Sequence, residues 1–256
     1  MYGLTQQDIP SVEVAPRLTR AWGTLVSCVH RPEYALERLE LEQGAVIPLH
    51  FYLERSGMYF VEEGEVTIRL TLFDGTNQWH RLKGGNTFSI EKGKLHAFHA
   101  VRPTTIYFFS SCGHFNDARF AETDSSGYFG IALLASMQTT FDRREKYWGS
   151  IESIVSESFA GKRMVLQKDG QSSLEFHCHK TESYYLQSGK LKVGLRVGRG
   201  ENTSVVLFAG QTFTIMPGLM HMRIALEESV LIEISTRDSD QDSHLVEDGK
   251  TYHHKE

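Results

Sequence analysis

Several classes of protein are excluded by what this 256-residue sequence has little of. Its three cysteines, Cys28, Cys112 and Cys178, are an odd number without close pair spacing, so we expect no disulfide framework and a reducing compartment. The longest apolar stretch, 131–137, is far shorter than the roughly 20 residues that a membrane helix needs. The N-terminus has no basic-then-apolar signal pattern. We therefore expect a cytoplasmic protein without a membrane segment.

The chain also lacks an excess of positive charge. The chain has 27 basic and 32 acidic residues and a net charge of -5, which offers no general attraction to a nucleic-acid backbone or an anionic membrane. We expect neither as a partner. What the chain does have is an ordinary globular composition, 40% apolar and 23% charged, and enough length for two small cores.

An internal repeat organises the chain. The pair Trp22-Gly23 recurs 126 positions later as Trp148-Gly149, and His96 recurs 125 positions later as His221. Turn glycines repeat at the same offset, as in Gly64 and Gly189. Such a repeat indicates two copies of one unit. The predicted divisions are an N-terminal arm (1–20), a first barrel (21–125), a linker (126–144) and a second barrel (145–256).

Each copy has the pattern of an all-β domain. Short segments rich in Val, Ile, Phe, Tyr and Leu alternate with Gly, Asn, Asp or Pro, which favours antiparallel strands in a closed or double-sheet barrel. The stretch 126–144 breaks this pattern and is a candidate for a linking helix. The arm either packs on the other barrel or on a second subunit, or is a disordered tail.

The second copy contains a candidate metal site. His177 and His179 are two apart on a predicted strand, where a period of two places both imidazoles on one face. Glu182 follows at the start of the next strand, and His221 arrives from an adjacent one. Three neutral imidazoles and one carboxylate suit one divalent transition metal (Zn, Mn, Fe, Ni or Co) with up to two open positions. Cys178 alternates to the other face and is expected to pack there.

The same residues carry a family resemblance. The run G-x6-H-x-H-x2-E-x6-G from Gly170 to Gly189, followed by G-x6-P-G-x2-H from Gly210 to His221, resembles the two cupin motifs. Around them, REKYWGSIESI, SSLEFHCHKTESYYLQSGKLKV and FTIMPGLMHMRI resemble the type II mannose-6-phosphate isomerase group, although Glu175 stands where that group usually has glutamine. The resemblance implies a bicupin, two double-stranded β-helix (jelly-roll) barrels, with the four residues above as metal ligands.

The first copy has lost most of this site. The matching positions are His50, Tyr52 and His96, while Gly57 occupies the glutamate position and Glu54 is poorly placed to replace it. We expect a degenerate first barrel without metal. Its interior is either a filled core that braces the second barrel or a cavity for a small ligand.

Three functions are compatible with the sequence. The resemblance favours an isomerase or epimerase acting on a small carbohydrate or sugar phosphate, in which the ion polarises a carbonyl and a neighbouring base moves a proton. An oxygenase or decarboxylase using Fe, Mn or Ni, and a non-catalytic carbohydrate-sensing module, are the alternatives. Glu182, Lys180 and Arg223 are the catalytic candidates, with Glu175, Tyr185 and Gln187 near the substrate. We expect a homodimer.

Overall fold

The structure is a computed structural model that describes residues 3–111, 117–121 and 141–255, and the backbone of 135–136. The chain divides into two compact units, one formed by Pro16–Thr140 and one by Met1–Ala15 with Phe141–Glu256. Strands account for nearly all the regular structure in the described ranges, with two short 3₁₀-helices at Gln6–Asp8 and Asp240–Asp242. The predicted all-β fold is confirmed. No helix in those ranges has the length and apolarity to cross a membrane.

A two-residue strand, β1 (Glu13–Val14), precedes the first unit. The first unit consists of two six-stranded sheets, with the orders β2-β3-β4-β11-β6-β9 and β12-β5-β10-β7-β8-β13. Their strands are β2 (Arg17–Arg20), β3 (Gly23–His30), β4 (Ala35–Leu41), β5 (Val46–Tyr52), β6 (Gly57–Glu63), β7 (Glu65–Thr71), β8 (Asn77–Lys83), β9 (Thr87–Ile90), β10 (Leu95–Ala100), β11 (Thr104–Ser110), β12 (Ala118–Phe120) and β13 (Ala135–Ser136). One core of aromatic and aliphatic side chains, including Tyr59, Phe98 and Phe108, fills this unit.

The second unit is a seven-stranded sheet, β1-β21-β18-β23-β16-β15-β14, and a five-stranded sheet, β20-β19-β22-β17-β24. Its remaining strands are β14 (Asp142–Lys146), β15 (Gly149–Ser156), β16 (Phe159–Leu166), β17 (Leu174–His177), β18 (Glu182–Ser188), β19 (Lys190–Val197), β20 (Asn202–Phe208), β21 (Gln211–Ile215), β22 (Leu219–Ala225), β23 (Ser229–Thr236) and β24 (Ser243–Glu247). Side chains from both sheets, among them Tyr184 and Leu186 of β18 and Leu195 of β19, form a second core.

The repeated Trp-Gly pair marks a backbone requirement of the fold. Gly23 and Gly149 open the equivalent strands β3 and β15 with φ of +136° and +146°, a region that residues with a side chain rarely adopt. A Cβ on Gly23 would collide with the carbonyl oxygen of Glu40, and one on Gly149 with that of Val165. The repeat therefore preserves a close contact between neighbouring strands in both units.

The N-terminal arm is shorter than predicted and belongs to the second unit. Residues Leu4 and Ile9 pack against the core of that unit, and the N–H of Ala15 donates to the carbonyl of Gly210 at 3.0 Å. The arm ends at Ala15, because Arg17–Arg20 already forms a strand of the first unit. The linking helix was predicted for 126–144, and most of that range, 126–134 and 137–140, lies outside the described residues. Its end is corrected, because Asp142–Lys146 is a strand paired with β15.

Candidate metal centre

Four side chains from both sheets of the second unit meet at one point, which we call the His–Glu centre: Glu175, His177, Glu182 and His221. Glu175 and His177 share one face of β17, and Glu175 lies directly opposite His221 of β22. The donor atoms of these three lie within 4.8 Å of one another. Glu182 opens β18 in the facing sheet, with its Oε1 2.8 Å from Nε2 of His221 and its Oε2 3.7 Å from Nε2 of His177.

Both imidazoles are held with Nε2 directed to the centre. Nδ1 of His177 lies 2.9 Å from the carbonyl oxygen of Asp242, and Nδ1 of His221 lies 3.0 Å from that of Leu219. A carbonyl only accepts, so Nδ1 carries the proton in each ring and Nε2 keeps its lone pair. Nε2 of His221 is fully buried and has no hydrogen-bond partner despite its proximity to Glu182. This tautomer is the one in which metal-ligating histidines are fixed.

A buried ion-pair network adjoins the centre. Nζ of Lys180 lies 2.7 Å from Oε2 of Glu182 and 2.8 Å from Oε1 of Glu233. The same ammonium is 3.1 Å from Oδ1 of Asp238. Lys180 and Glu233 are almost fully buried, so each charge depends on the others for compensation.

Arg223 of β22 is a second buried cation beside the centre. Its Nη2 donates to Oε1 of Glu175 at 2.8 Å, and its Nη1 lies 3.6 Å from Oε2 of Glu233. The guanidinium carbon lies 5.9 Å from the ring centroid of Trp148 and 5.7 Å from that of Tyr184. Stacking and ion pairing together fix this side chain beside the centre.

The network keeps Glu182 ionised. Burial alone would raise its pKa, but the charge of Lys180 and, when its ring is protonated, that of His221 hold the pKa of this carboxyl well below its usual range. The hydroxyl of Tyr184 also donates to Oε1 of Glu182 at 2.6 Å. Burial opposes charge on Lys180 as well, yet Glu182, Glu233 and Asp238 raise its pKa well above the ordinary value. An ionised carboxylate between two oriented imidazoles is an arrangement suited to a cation.

The donor set fits a divalent transition metal. Two imidazole nitrogens and two carboxylates provide four ligands, and Nε2 of His221 lies only 2.8 Å from Oε1 of Glu182. Imidazole suits Zn, Fe and Ni, whereas a second carboxylate shifts the preference towards harder ions such as Mn. When bound, such an ion would act as a Lewis acid towards a substrate oxygen.

The structure does not bring His179 to this centre. The strand β17 ends at His177, and His179 lies in the following bend with an exposed side chain. Its backbone N–H donates to the carboxylate of Asp242, at 3.2 Å from Oδ1 and 3.1 Å from Oδ2. The sequence predicted that the alternation of a strand places His177 and His179 on one face. In the structure the two residues on one face of β17 are Glu175 and His177.

The internal repeat of the sequence could have identified Glu175 as a member of the centre. His50 pairs with His96 in the first unit as Glu175 pairs with His221 in the second. His50 and Glu175 are 125 positions apart, like His96 and His221. Applied strictly, this offset identifies Glu175 as the equivalent of His50.

The alternation of side chains along β18 decides which of the other predicted residues face the centre. Glu182, Tyr184 and Leu186 of β18 face the barrel interior, so Tyr185 and Gln187 face the opposite side of the sheet and not the centre. Lys180 and Arg223, the other catalytic candidates, both lie beside the centre. Sequence reasoning missed further members of the network, which come from distant segments without a motif: Tyr184, Glu233, Asp238 and Asp242.

In the first unit, aromatic contacts replace the metal ligands. The rings of His50 and His96 lie 4.1 Å apart between centroids. The hydroxyl of Tyr59 bonds to Nε2 of His96 at 3.0 Å, and that of Tyr52 lies 3.0 Å from the hydroxyl of Tyr59. Gly57 leaves no carboxylate where the second unit has Glu182. A cavity of about 360 Å³ lies beside His50 and Tyr52, so an open cavity and a packed aromatic core coexist there.

Burial of His50 predicts a pH-dependent stability of the first unit. Desolvation lowers the pKa of His50 from 6.5 to about 4, although the contact with Pro48 opposes this. The unfolded chain therefore takes up the proton first as the pH falls. The stabilisation from the neutral, buried His50 is fully present above pH 6.5. Between pH 6.5 and about pH 4 the free energy of unfolding falls by roughly 3 kcal/mol.

The variant His50→Gln removes this titration. We expect the free energy of unfolding of wild type, relative to the variant, to fall by about 3 kcal/mol between pH 7 and pH 4, measured by urea denaturation with a first-unit probe such as Trp22. The exposed His179→Gln in the second unit is the control and should show no such change. A wild-type minus His50→Gln difference that is constant with pH would contradict the prediction.

Comparisons with known proteins agree on the fold. No protein-family model and no curated protein matches the chain. Among solved structures, the oxalate decarboxylase of Lactobacillus farciminis in its formate complex matches with a TM-score of 0.73 at 14% identity, over 96% of this chain and 90% of that one. The oxalate decarboxylase of Bacillus subtilis matches with a TM-score of 0.71 at 14% identity, over 90% of this chain and 77% of that one. A further structure, from work on the Mn(II) centres of the Bacillus subtilis enzyme, has a TM-score of 0.70, 14% identity and coverages of 90% and 78%. The chain therefore has the bicupin fold of these decarboxylases.

Proposed function

We propose that the His–Glu centre binds one divalent transition metal and acts on a small carboxylic acid, with decarboxylation as the reaction class. The observation that carries this proposal is the charge of the buried cluster. It combines four carboxylates with three cations: Glu175, Glu182, Glu233 and Asp238 with Lys162, Lys180 and Arg223. With neutral imidazoles the cluster carries one negative charge, and a divalent ion would make it positive by one. A loaded centre of that charge favours an anionic substrate over a neutral sugar.

The protein's own side chains have defined parts in this proposal. Glu175, His177, Glu182 and His221 would hold the ion. Arg223, which lies near the rings of Trp148 and Tyr184, would bind a substrate carboxylate through its planar N–H groups. Loss of CO2 leaves a carbon that needs a proton, and Lys180, with its Nζ 2.7 Å from Oε2 of Glu182, is placed to hold or deliver one at the edge of the ligand shell.

Two features support this reading over a sugar isomerase. The solved structures compared above are oxalate decarboxylases, one of them described with Mn(II) centres. The two-carboxylate donor set also suits Mn better than the three-imidazole set predicted from the motif. A sugar isomerase, which the cupin motif resemblance favoured, remains the second candidate, and a cytoplasmic homodimer remains part of the proposal.

Product analysis tests the reaction class. Mn-loaded protein is incubated with two- to four-carbon mono-, di- and 2-oxo acids, and separately with aldoses, ketoses and their 6-phosphates. We expect CO2 release from at least one acid, detected by mass spectrometry. The activity should be lost in His221→Gln and kept in His179→Gln. Conversion of a sugar with no acid reacting would contradict the proposal, and consumption of O2 with an acid would instead indicate an oxygenase.

A further inference from the structure

A second group of metal-binding side chains lies outside the His–Glu centre. Cys178, Asp242 and His244 line a surface hollow of about 570 Å³ between the bend after β17 and the start of β24. Their donor atoms, a thiol sulfur, a carboxylate oxygen and an imidazole nitrogen, all lie within 4.8 Å of one another. None of the three belongs to the proposed reaction. We propose that these residues form a second, thiolate-containing site for a soft divalent cation such as Zn²⁺.

The spacing is close to that of a bound ion. Zinc bonds of about 2.0–2.3 Å in a tetrahedron place neighbouring ligand atoms roughly 3.5 Å apart. The donor atoms, which lie within 4.8 Å of one another, need to close by at most about 1.3 Å. All three side chains are half-buried at a surface where rotamers can adjust. Three protein ligands leave a fourth position for water.

The site is partly organised without an ion. The carboxylate of Asp242 accepts the N–H groups of Cys178 at 2.8 Å and Lys180 at 2.9 Å, and that of His179. These bonds fix the backbone of Cys178 next to the carboxylate. The ring of His244 stacks on Phe176 with centroids 5.0 Å apart.

The chemistry of the donors selects the class of cation. Thiolate and imidazole together prefer Zn²⁺ over Mg²⁺ or Ca²⁺, which take oxygen ligands. The hollow is also lined by Asp238 and Arg237. Asp238 is already paired with Lys162 and Lys180, so the two negative charges of Asp242 and a metal-bound thiolate face the one positive charge of Arg237. The donor set differs from that of the His–Glu centre, and we expect Cd²⁺ or Zn²⁺ to bind here irrespective of the proposed function.

Cadmium is the probe, because a thiolate ligand gives an ultraviolet charge-transfer band that carboxylate and imidazole ligands do not. Metal-free full-length protein is titrated with Cd²⁺, and Zn²⁺ is then used to displace it. We expect one thiolate-bound ion per chain, a band lost in Cys178→Ser and an affinity at least tenfold lower in His244→Asn. Asp242 is left unchanged, because its carboxylate holds the backbone N–H groups of 178–180. Losing these bonds would also shift its own carbonyl oxygen away from His177.

Matched variants separate the outcomes. Cys28→Ser, in the core of the first unit, and His221→Gln, at the His–Glu centre, should both keep the band. Circular dichroism checks that each variant is folded. A band that persists in Cys178→Ser, or an unchanged affinity in folded His244→Asn, would overturn the proposal, since either result means that a thiol binds cadmium without this cluster. Loss of the band in His221→Gln would also overturn it, by placing the ion at the His–Glu centre.

Discussion

Replacing Glu175 by glutamine should lower the affinity of the His–Glu centre for Mn²⁺ by at least tenfold, whereas His179→Gln should leave it unchanged. Glutamine keeps the size of the side chain but removes the charge of one of the two carboxylates beside His221. His179 is exposed beyond the end of β17. Removing even residues that only orient ligands typically costs 10- to 100-fold in metal affinity, so the loss of a ligand should cost no less.

Isothermal titration of metal-free protein with Mn²⁺ measures this difference. His221→Gln is the positive control, because it removes the buried Nε2 that has no hydrogen-bond partner. Mn²⁺ is the suitable titrant, since the cluster containing Cys178 favours softer ions. Tight Mn²⁺ binding in Glu175→Gln together with its loss in His179→Gln would restore the assignment based on the motif spacing.

Replacing Lys180 by methionine should lower the free energy of unfolding of the metal-free protein by about 3–5 kcal/mol at pH 7. The substitution preserves the aliphatic stem but leaves Glu182, Glu233 and Asp238 without the ammonium that lies among them. Removing one partner of a buried ion pair costs more than the pair contributes, because the remaining charge stays desolvated. Chemical denaturation of metal-free wild type and variant, followed by a probe in the second unit, measures the difference.

The effect should shrink as the pH falls. In the wild type, Lys180 and His221 hold the pKa of Glu182 below its ordinary 4.5, so this stabilisation is present above pH 4.5 and is lost as the pH falls through the lower, folded-state value. The difference between wild type and Lys180→Met should therefore be largest near neutrality. Lys168→Met, at an exposed turn, is the control and should stay within about 0.5 kcal/mol. If Lys180→Met also lowered the free energy of unfolding by only about 0.5 kcal/mol, the compensating role of its ammonium would be contradicted.

The denaturation of Lys180→Met can be repeated with Mn²⁺ present. An ion at the His–Glu centre would supply positive charge beside Glu182, so saturating Mn²⁺ should recover part of the stability lost in Lys180→Met. A ligand that binds only the folded state must stabilise it. Because this recovery depends on Glu175 and His221, it should disappear in the double variant Lys180→Met, His221→Gln.

The fold could be predicted from local pattern because its determinants are local. Alternating apolar residues specify strands, and Gly23 and Gly149 repeat where neighbouring strands leave no room for a Cβ. The position of the N-terminal arm could not be predicted from the sequence, since nothing in residues 3–15 indicates which unit they pack on. Their position depends on contacts with Gly210 and Thr212, far away in the sequence.

The sequence by itself determined two β barrels, a metal-binding second copy and a depleted first one, because repeats and turn glycines record backbone geometry directly. Only the tertiary structure decided which residues form the centre. The pairs Glu175–His177 and His177–His179 have the same spacing, and the choice depends on where β17 ends and which residue lies opposite His221. The charge balance was likewise decided by tertiary structure, because Glu233 and Asp238 reach Lys180 from segments more than fifty residues away, and electrostatic compensation depends on distance in space and not along the chain.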